Sequence, residues 1–267
     1  SSRSPYRMQK HAMRLTWRGE SGASRLRYRF FPGSRLEDIN KLILRATFTD
    51  GWGLVSWNST RYRPDDSTMT RDVWVRRSWE AMGNLTPKSR YVHLMINGLY
   101  WGVYDVAEHM DQDFAAANLG GLTTDWEVVN DFVDPDPSAT SAWKAMFNTA
   151  AAGLSTPAAY TAIQQWLDPA NFADYYLLHQ YAECEDWPHH NGGAFRHKSG
   201  GKNQWLPGGQ ENALQETRAS NGHNIDRVSA GAGNTTTART PGPLWNALRA
   251  NPEWRLLVAD RAHFLFN

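Results

Sequence analysis

Apolar positions in the first hundred residues recur with a period of two, and later in the chain with a helical period. Residues 12–18 (AMRLTWR), 26–31 (LRYRFF) and 41–48 (KLILRATF) alternate or run apolar with aromatic and β-branched content. Turn-rich RGESGAS and PGSRLED separate them, so strands are expected at all three. Over 70–83 (TRDVWVRRSWEAMG) the apolar residues fall at helical spacing between a Thr cap and a Gly stop. Strands at 90–96 and 99–107 are joined by Asn97-Gly98, the strongest short hairpin signal. Beyond Glu108 the pattern predicts a helix at 111–119, a short strand at 125–129, and helices near 138–152, 156–166 and 169–183. Pro169 suits the first turn of the last of these. Short strands at 193–197 and 203–206 flank a Gly/Lys hairpin, and helices return at 243–250 and 252–266. Residues 216–242, rich in Ser, Gly, Asn and Thr, read as an extended surface loop. No internal repeat is visible. The expected class is α+β, with a β-rich half over residues 1–110 and a mostly helical half over 111–267.

Composition narrows the class without naming a partner. At 267 residues the chain can bury a sizeable core, as one large domain or two lobes. Hydrophobic residues at 41% and charged residues at 21% are those of a soluble globular protein. Thirteen Trp and ten Tyr suit a packed core, or a groove for flat or sugar-like ligands. A net charge of +1 supplies no field toward nucleic acid, so none is expected as a partner. Cys184 is the sole cysteine, which excludes an internal disulfide, and it reads as a buried, inert thiol. No apolar run reaches the ~18–20 residues of a membrane helix, so no span is expected. The chain opens SSRSPYRMQK, with no initiator Met, and stops inside a helical pattern; it reads as a fragment at both ends.

The stretch from Glu183 to Asn191 (ECEDWPHHN) carries the most chemistry. Asp186 and Asn191 stand five apart, the D-x-x-x-x-N spacing of a kinase catalytic loop. There the Asp takes the proton of the acceptor hydroxyl and the Asn offers a neutral oxygen to magnesium. An acidic helix end followed by a polar turn would produce the same letters. His189, His190, Glu183, Glu185 and His197 invite a zinc reading, but adjacent histidines point their rings apart and no H-E-x-x-H occurs. The aromatic content leaves a carbohydrate-binding module open as the non-enzyme alternative.

A family resemblance gives these residues a frame. Ile96-Asn-Gly-Leu-Tyr-Trp-Gly-Val-Tyr104 followed by Glu108 resembles the N-G-x-Y-x-G-V-Y-x-x-x-E signature of the CotH (spore-coat) kinase family. Arg18-Gly-Glu-Ser21 is similar to its R-G-N-S, Arg25-Leu-Arg-Tyr28 to its K-K-x-Y, and Leu42 through Asp50 to its L-x-L-x-x-x-x-x-D. Asp186 and Asn191 match its D-x-x-x-x-N, so the likeness runs in order across about residues 8–215. It implies a two-lobed atypical protein kinase, with ATP and Mg²⁺ held at the lobe junction near 108–112. The implied partner is a protein with Ser/Thr hydroxyls, and the implied location is secreted, cell-surface or coat-associated. By resemblance Asp186 is the catalytic base and Asn191 a magnesium ligand. Arg18 and Ser21 lie in the turn over the phosphates. Glu108 sits at the junction, on the nucleotide or its ribose, unless it caps the next helix. Glu80 is a weaker candidate for the helix carboxylate of a kinase.

Two departures qualify the resemblance. Only Arg25 or Arg27 stands for the phosphate-gripping Lys, and a guanidinium fork does not replace an ammonium in a tight pocket. In the register Pro207-Gly-Gly-Gln-Glu-Asn-Ala-Leu214, Glu211 and Leu214 align, yet Gly209 occupies the place of the family's metal-binding Asp. Glu211 or Asp226 would have to replace that carboxylate. Otherwise the chain is a catalytically inactive pseudokinase or binding module.

Overall fold

The computed structural model describes residues 8–51, 67–132, 141–184, 187–188, 191–214 and 239–267. These form seven α-helices and nine β-strands, with every strand ladder antiparallel, an α+β architecture. The chain divides into two compact units, one of Ser1–Trp74 with Pro87–Thr124 and one of Val75–Thr86 with Asp125–Asn267.

The first unit contains β1 (Met13–Thr16), β2 (Leu26–Arg27), β3 (Asp38–Ile39), β4 (Lys41–Arg45), the start of α1 (Arg71–Ala81), β5 (Ser89–Ile96), β6 (Leu99–Glu108) and α2 (Gln112–Leu119). Its main sheet has the order β1-β4-β6-β5. Alternation along β4 sends Leu42 and Leu44 into a core with Ile39, Tyr104 and Val106, while Lys41, Ile43 and Arg45 take the other face. Asn97 (φ 50) and Gly98 (φ 81) are both left-handed, the signature of a two-residue type I′ turn, so the expected hairpin is present. The register shifts between Leu94 and Met95, where Trp101 is the extra residue and Gly102 adopts φ 116.

The strand expected over 26–31 is a correction: only Leu26–Arg27 pairs, with Ile39 and Asp38 of the unforeseen β3. Phe30 and Phe31 are apolar because the loop folds onto the sheet, where Phe31 is 3% exposed, and not because they pair. The strand expected over 41–48 stops at Arg45, since Thr47 and Phe48 turn to positive φ before a 3₁₀ turn at Phe48–Asp50.

The second unit holds the sheet β7 (Trp126–Asn130), β8 (Gly192–His197) and β9 (Gln204–Pro207). Its helices are the remainder of α1, then α3 (Ser141–Ala151), α4 (Pro157–Ile163), α5 (Pro169–Tyr181), α6 (Pro241–Arg249) and α7 (Pro252–Phe266). Helix α5 is the centre. Asp168 caps it through the amides of Ala170 and Asn171, with Pro169 in the first turn as expected. Phe172, Tyr175 and Tyr176 are wholly buried, and the rings of Trp205, Trp245 and Trp254 pack on them. Burial of each such side chain contributes roughly 1.5–3 kcal/mol, so the abundant Trp here serves the core. Asp174 grips Arg261 of α7 with both oxygens at 2.7 and 2.6 Å. Helix α6 begins at Pro241, two residues ahead of expectation, while most of the expected 216–242 loop lies outside the described residues.

Candidate functional site

In the second unit the C-terminal end of α5 leads toward β8 through the segment that carries the D-x-x-x-x-N pattern. Asp186 lies outside the described residues, as do Glu185, His189, His190 and Asp226. Trp187 pins the segment from within it. The ring is wholly buried, stacks on His179 at 4.9 Å, and donates its indole N–H to the Tyr175 hydroxyl at 3.1 Å.

Asn191 follows in left-handed conformation (φ 64), immediately before β8. Its carbonyl accepts two hydrogen bonds, from the Gly208 amide at 2.9 Å and the Gln210 side chain at 2.6 Å. Gln210 also donates to His179 Nε2 at 3.0 Å, and His179 Nδ1 donates to the Tyr175 carbonyl at 2.7 Å. Burial drives the His179 imidazole down to about 3, against the backbone hydrogen bond that favours its charged form, so the ring is neutral. The next residue, Gly192, is obligatory: a Cβ there would lie 2.2 Å from the Tyr175 hydroxyl and 2.6 Å from Phe132.

The result places Asn191 against the segment 208–211 that contains Gly209 and Glu211. Strand β9 ends at Pro207 and residues 211–214 form a turn, so period-two alternation does not relate Gly209 to Glu211. Gln210 points inward and Glu211 is half-buried. Leu214 closes the segment by donating its amide to the Ala182 carbonyl at 2.8 Å.

In the first unit the predicted residues fall into separate groups. Arg18 and Glu20 pair at 3.6 Å with both side chains exposed, around the 3₁₀ turn that ends at Ser21. Arg25 faces Asp38 at 3.6 Å and donates to Asp113 at 3.3 Å, so a phosphate there would compete with two carboxylates. Arg27 reaches Asp38 only at 4.0 Å and is 90% exposed. Glu108 is buried, accepting from the Lys88 amide at 2.7 Å and from the Ser34 hydroxyl. Burial pushes its carboxyl up, and those hydrogen bonds only partly offset the push. Capping of α2 falls to Asp111, whose carboxylate receives the amides of Asp113 and Phe114.

Three ionic contacts in this unit escaped the sequence reading. Lys41 meets Asp111 at 3.0 Å, and Arg45 of β4 meets Asp72 of α1 at 3.0 Å, the latter carboxylate buried. Both cations lie on the half-buried face of β4, and the Lys41-x-x-x-Arg45 alternation was their signal. Asp50 is 1% exposed and receives the Thr68 and Arg71 amides at 2.7 and 3.0 Å, plus the Arg71 guanidinium at 2.9 Å. It therefore caps α1 from a distance, a role the sequence had suggested for Thr70.

A model of the CotH kinase protein family matches residues 6–264 of the chain. No curated protein matches it. Among the described residues no helix is long and apolar enough to cross a membrane.

Proposed function

Because the chain belongs to the CotH kinase family, we propose that it is a two-lobed, atypical kinase-like domain. In this reading lobes 1–110 and 111–267 hold Mg-ATP and pass the γ-phosphoryl group to a protein Ser or Thr hydroxyl. The observation that supports it most is the doubly held main-chain carbonyl of Asn191, which fixes the backbone there beside the segment 208–211. Phosphoryl transfer depends on positioning and charge more than on covalent chemistry, so a rigidly placed Asn is what the reaction requires.

Each residue then has a task. Asp186 takes the proton of the acceptor hydroxyl. Gln210 and His179 hold Asn191 in its left-handed turn without touching substrate. Arg45 with Asp72 would fill the place of the strand-lysine and helix-glutamate pair of kinases, a role the sequence had suggested for Arg25 or Arg27. Arg18 and Ser21 would cover the phosphates, Arg25 or Arg27 would offer charge to them, and Glu108 would approach the ribose.

Among the described residues no three His, Cys, Asp or Glu side chains gather as a metal cage. Magnesium would rest on Asn191, Glu211 and the phosphate oxygens, the all-oxygen set with few carboxylates that this ion takes. When bound, it neutralises charge on the transferring group. A second reading, an inactive member that binds without turnover, is favoured by Gly209, which offers no carboxylate. The test is a thermal-shift titration with Mg-ATP alongside transfer of labelled γ-phosphate to a protein acceptor. Stabilisation abolished by EDTA supports the nucleotide site, and no shift at millimolar Mg-ATP rejects it.

A further inference from the structure

Away from the residues assigned above, the first unit contains an open cavity of about 580 Å³ between the loop that follows β2 and the start of β5. Arg29, Arg35 and Arg90 line it, with Glu37 the sole carboxylate among its lining residues and Phe30 forming one wall. Glu37 is taken by Arg29 at 2.5 Å. Arg35 donates only to the Asn118 carbonyl at 3.2 Å. Arg90 donates only to the Phe30 carbonyl, at 3.4 Å, and lies 5.7 Å from the centroid of that ring. Neither Arg35 nor Arg90 meets a carboxylate among the described residues. Two guanidinium groups, both exposed, therefore share one recess with no carboxylate partner among the described residues.

We propose that this recess binds a phosphoryl monoester carried on a protein segment. Two guanidinium groups without a carboxylate partner among the described residues match the charge of roughly −1.5 to −2 on a phosphorylated side chain. Their planar forks suit its oxygens, whereas a single carboxylate would satisfy only one fork. Gly33 (φ 76) has nothing within 4 Å of where a Cβ would stand, so its backbone also presents no wall to a ligand. The segment, as opposed to free phosphate, is favoured by the surface beside the recess. Tyr28 is 60% exposed and meets Phe30 edge-on at 6.3 Å, an aromatic ledge that inorganic phosphate cannot use. The site uses none of the residues assigned to the nucleotide, although Ser34 of its lining donates to Glu108.

The test is fluorescence anisotropy of the intact chain with a labelled phosphoserine peptide, its unphosphorylated twin, and inorganic phosphate as competitor. The phosphopeptide should bind at least about tenfold more tightly than its twin, as charge-assisted hydrogen bonds predict. The double variant Arg35→Gln/Arg90→Gln should abolish that preference, while Arg77→Gln on α1 leaves it intact; circular dichroism confirms folding of each. Equal binding of the two peptides overturns the proposal, as does an unaffected double variant. Competition by inorganic phosphate at the peptide's own affinity overturns the choice of a protein segment.

Discussion

Gln210 commits both amide hydrogens inside the protein, one to His179 Nε2 and one to the Asn191 carbonyl. A carbonyl only accepts, so the bond from His179 to Tyr175 puts the ring proton on Nδ1 and leaves Nε2 free to receive Gln210. Protonating His179 would therefore break the link to Gln210 and bury a charge. Its folded value of about 3 lies below the ordinary 6.5, so its contribution is complete above the unfolded value and lost as pH falls toward the folded one. Stability should therefore fall as pH is lowered through that window. Urea unfolding at about pH 7 and about pH 5 checks this, since His179→Gln should flatten the difference. A slope unchanged in that variant would remove His179 as its source. None of this was legible beforehand: His179 and Gln210 are 31 residues apart, and the sequence drew attention to the adjacent histidines instead. Asn191, by contrast, stood out because its local pattern, five residues from Asp186, is itself the signal.

At the scale of elements, ends are set by a few groups whose removal has a calculable cost. Asp111 caps α2 while also meeting Lys41 and His109. Burial pushes its carboxyl up, but hydrogen bonds from His109 and Lys41 outweigh that and hold it below the ordinary range. Its contribution is present at neutral pH and lost as acid takes the pH down through its lowered value. Asp111→Ala should cost about 1–2 kcal/mol by chemical denaturation near neutrality, and less in acid. For α1 the cap is Asp50, buried with Arg71, and Asp50→Ala should cost about 3–5 kcal/mol because it breaks a buried ion pair and removes the acceptor of the Thr68 and Arg71 amides. A loss below about 1 kcal/mol would show that Asp50 is not what holds the start of α1. The β5–β6 hairpin was readable from two letters, since Asn-Gly carries its turn geometry locally. The Asp50 cap was not, because it acts across 21 residues. Phe30 and Phe31 misled for a related reason: apolar residues that fill a core from a loop resemble a strand when only the alternation is visible.

For the molecule as a whole, Gly209 is the residue on which turnover would depend under the proposed kinase reading. On that reading, a magnesium ion facing a triphosphate would gain several kcal/mol from a well-placed carboxylate, whereas Asn191 would contribute only a neutral dipole. The segment that should supply the carboxylate is held firmly: Gly208 bonds Asn191, Gln210 is buried, and Leu214 bonds Ala182. A side chain added at 209 would thus be presented by a fixed backbone next to Asn191. Glu211 sits in the turn beyond that anchor, so its reach to the same ion depends on its longer side chain alone. The expected outcome is weak or absent transfer by the wild-type chain, with Gly209→Asp gaining at least about tenfold in Mg-dependent ATP affinity. Asp186→Asn in that background should remove transfer and spare nucleotide affinity, because the base acts on the acceptor hydroxyl and not on the phosphates. Isothermal titration with Mg-ATP and a single-turnover transfer assay separate the two effects. Brisk wild-type turnover that Glu211→Ala abolishes would instead make Glu211 the metal ligand and end the inactive reading. If Gly209→Asp gains nothing and the wild type binds no nucleotide, the loss extends beyond one carboxylate, and the chain's role must be sought in what its surface binds.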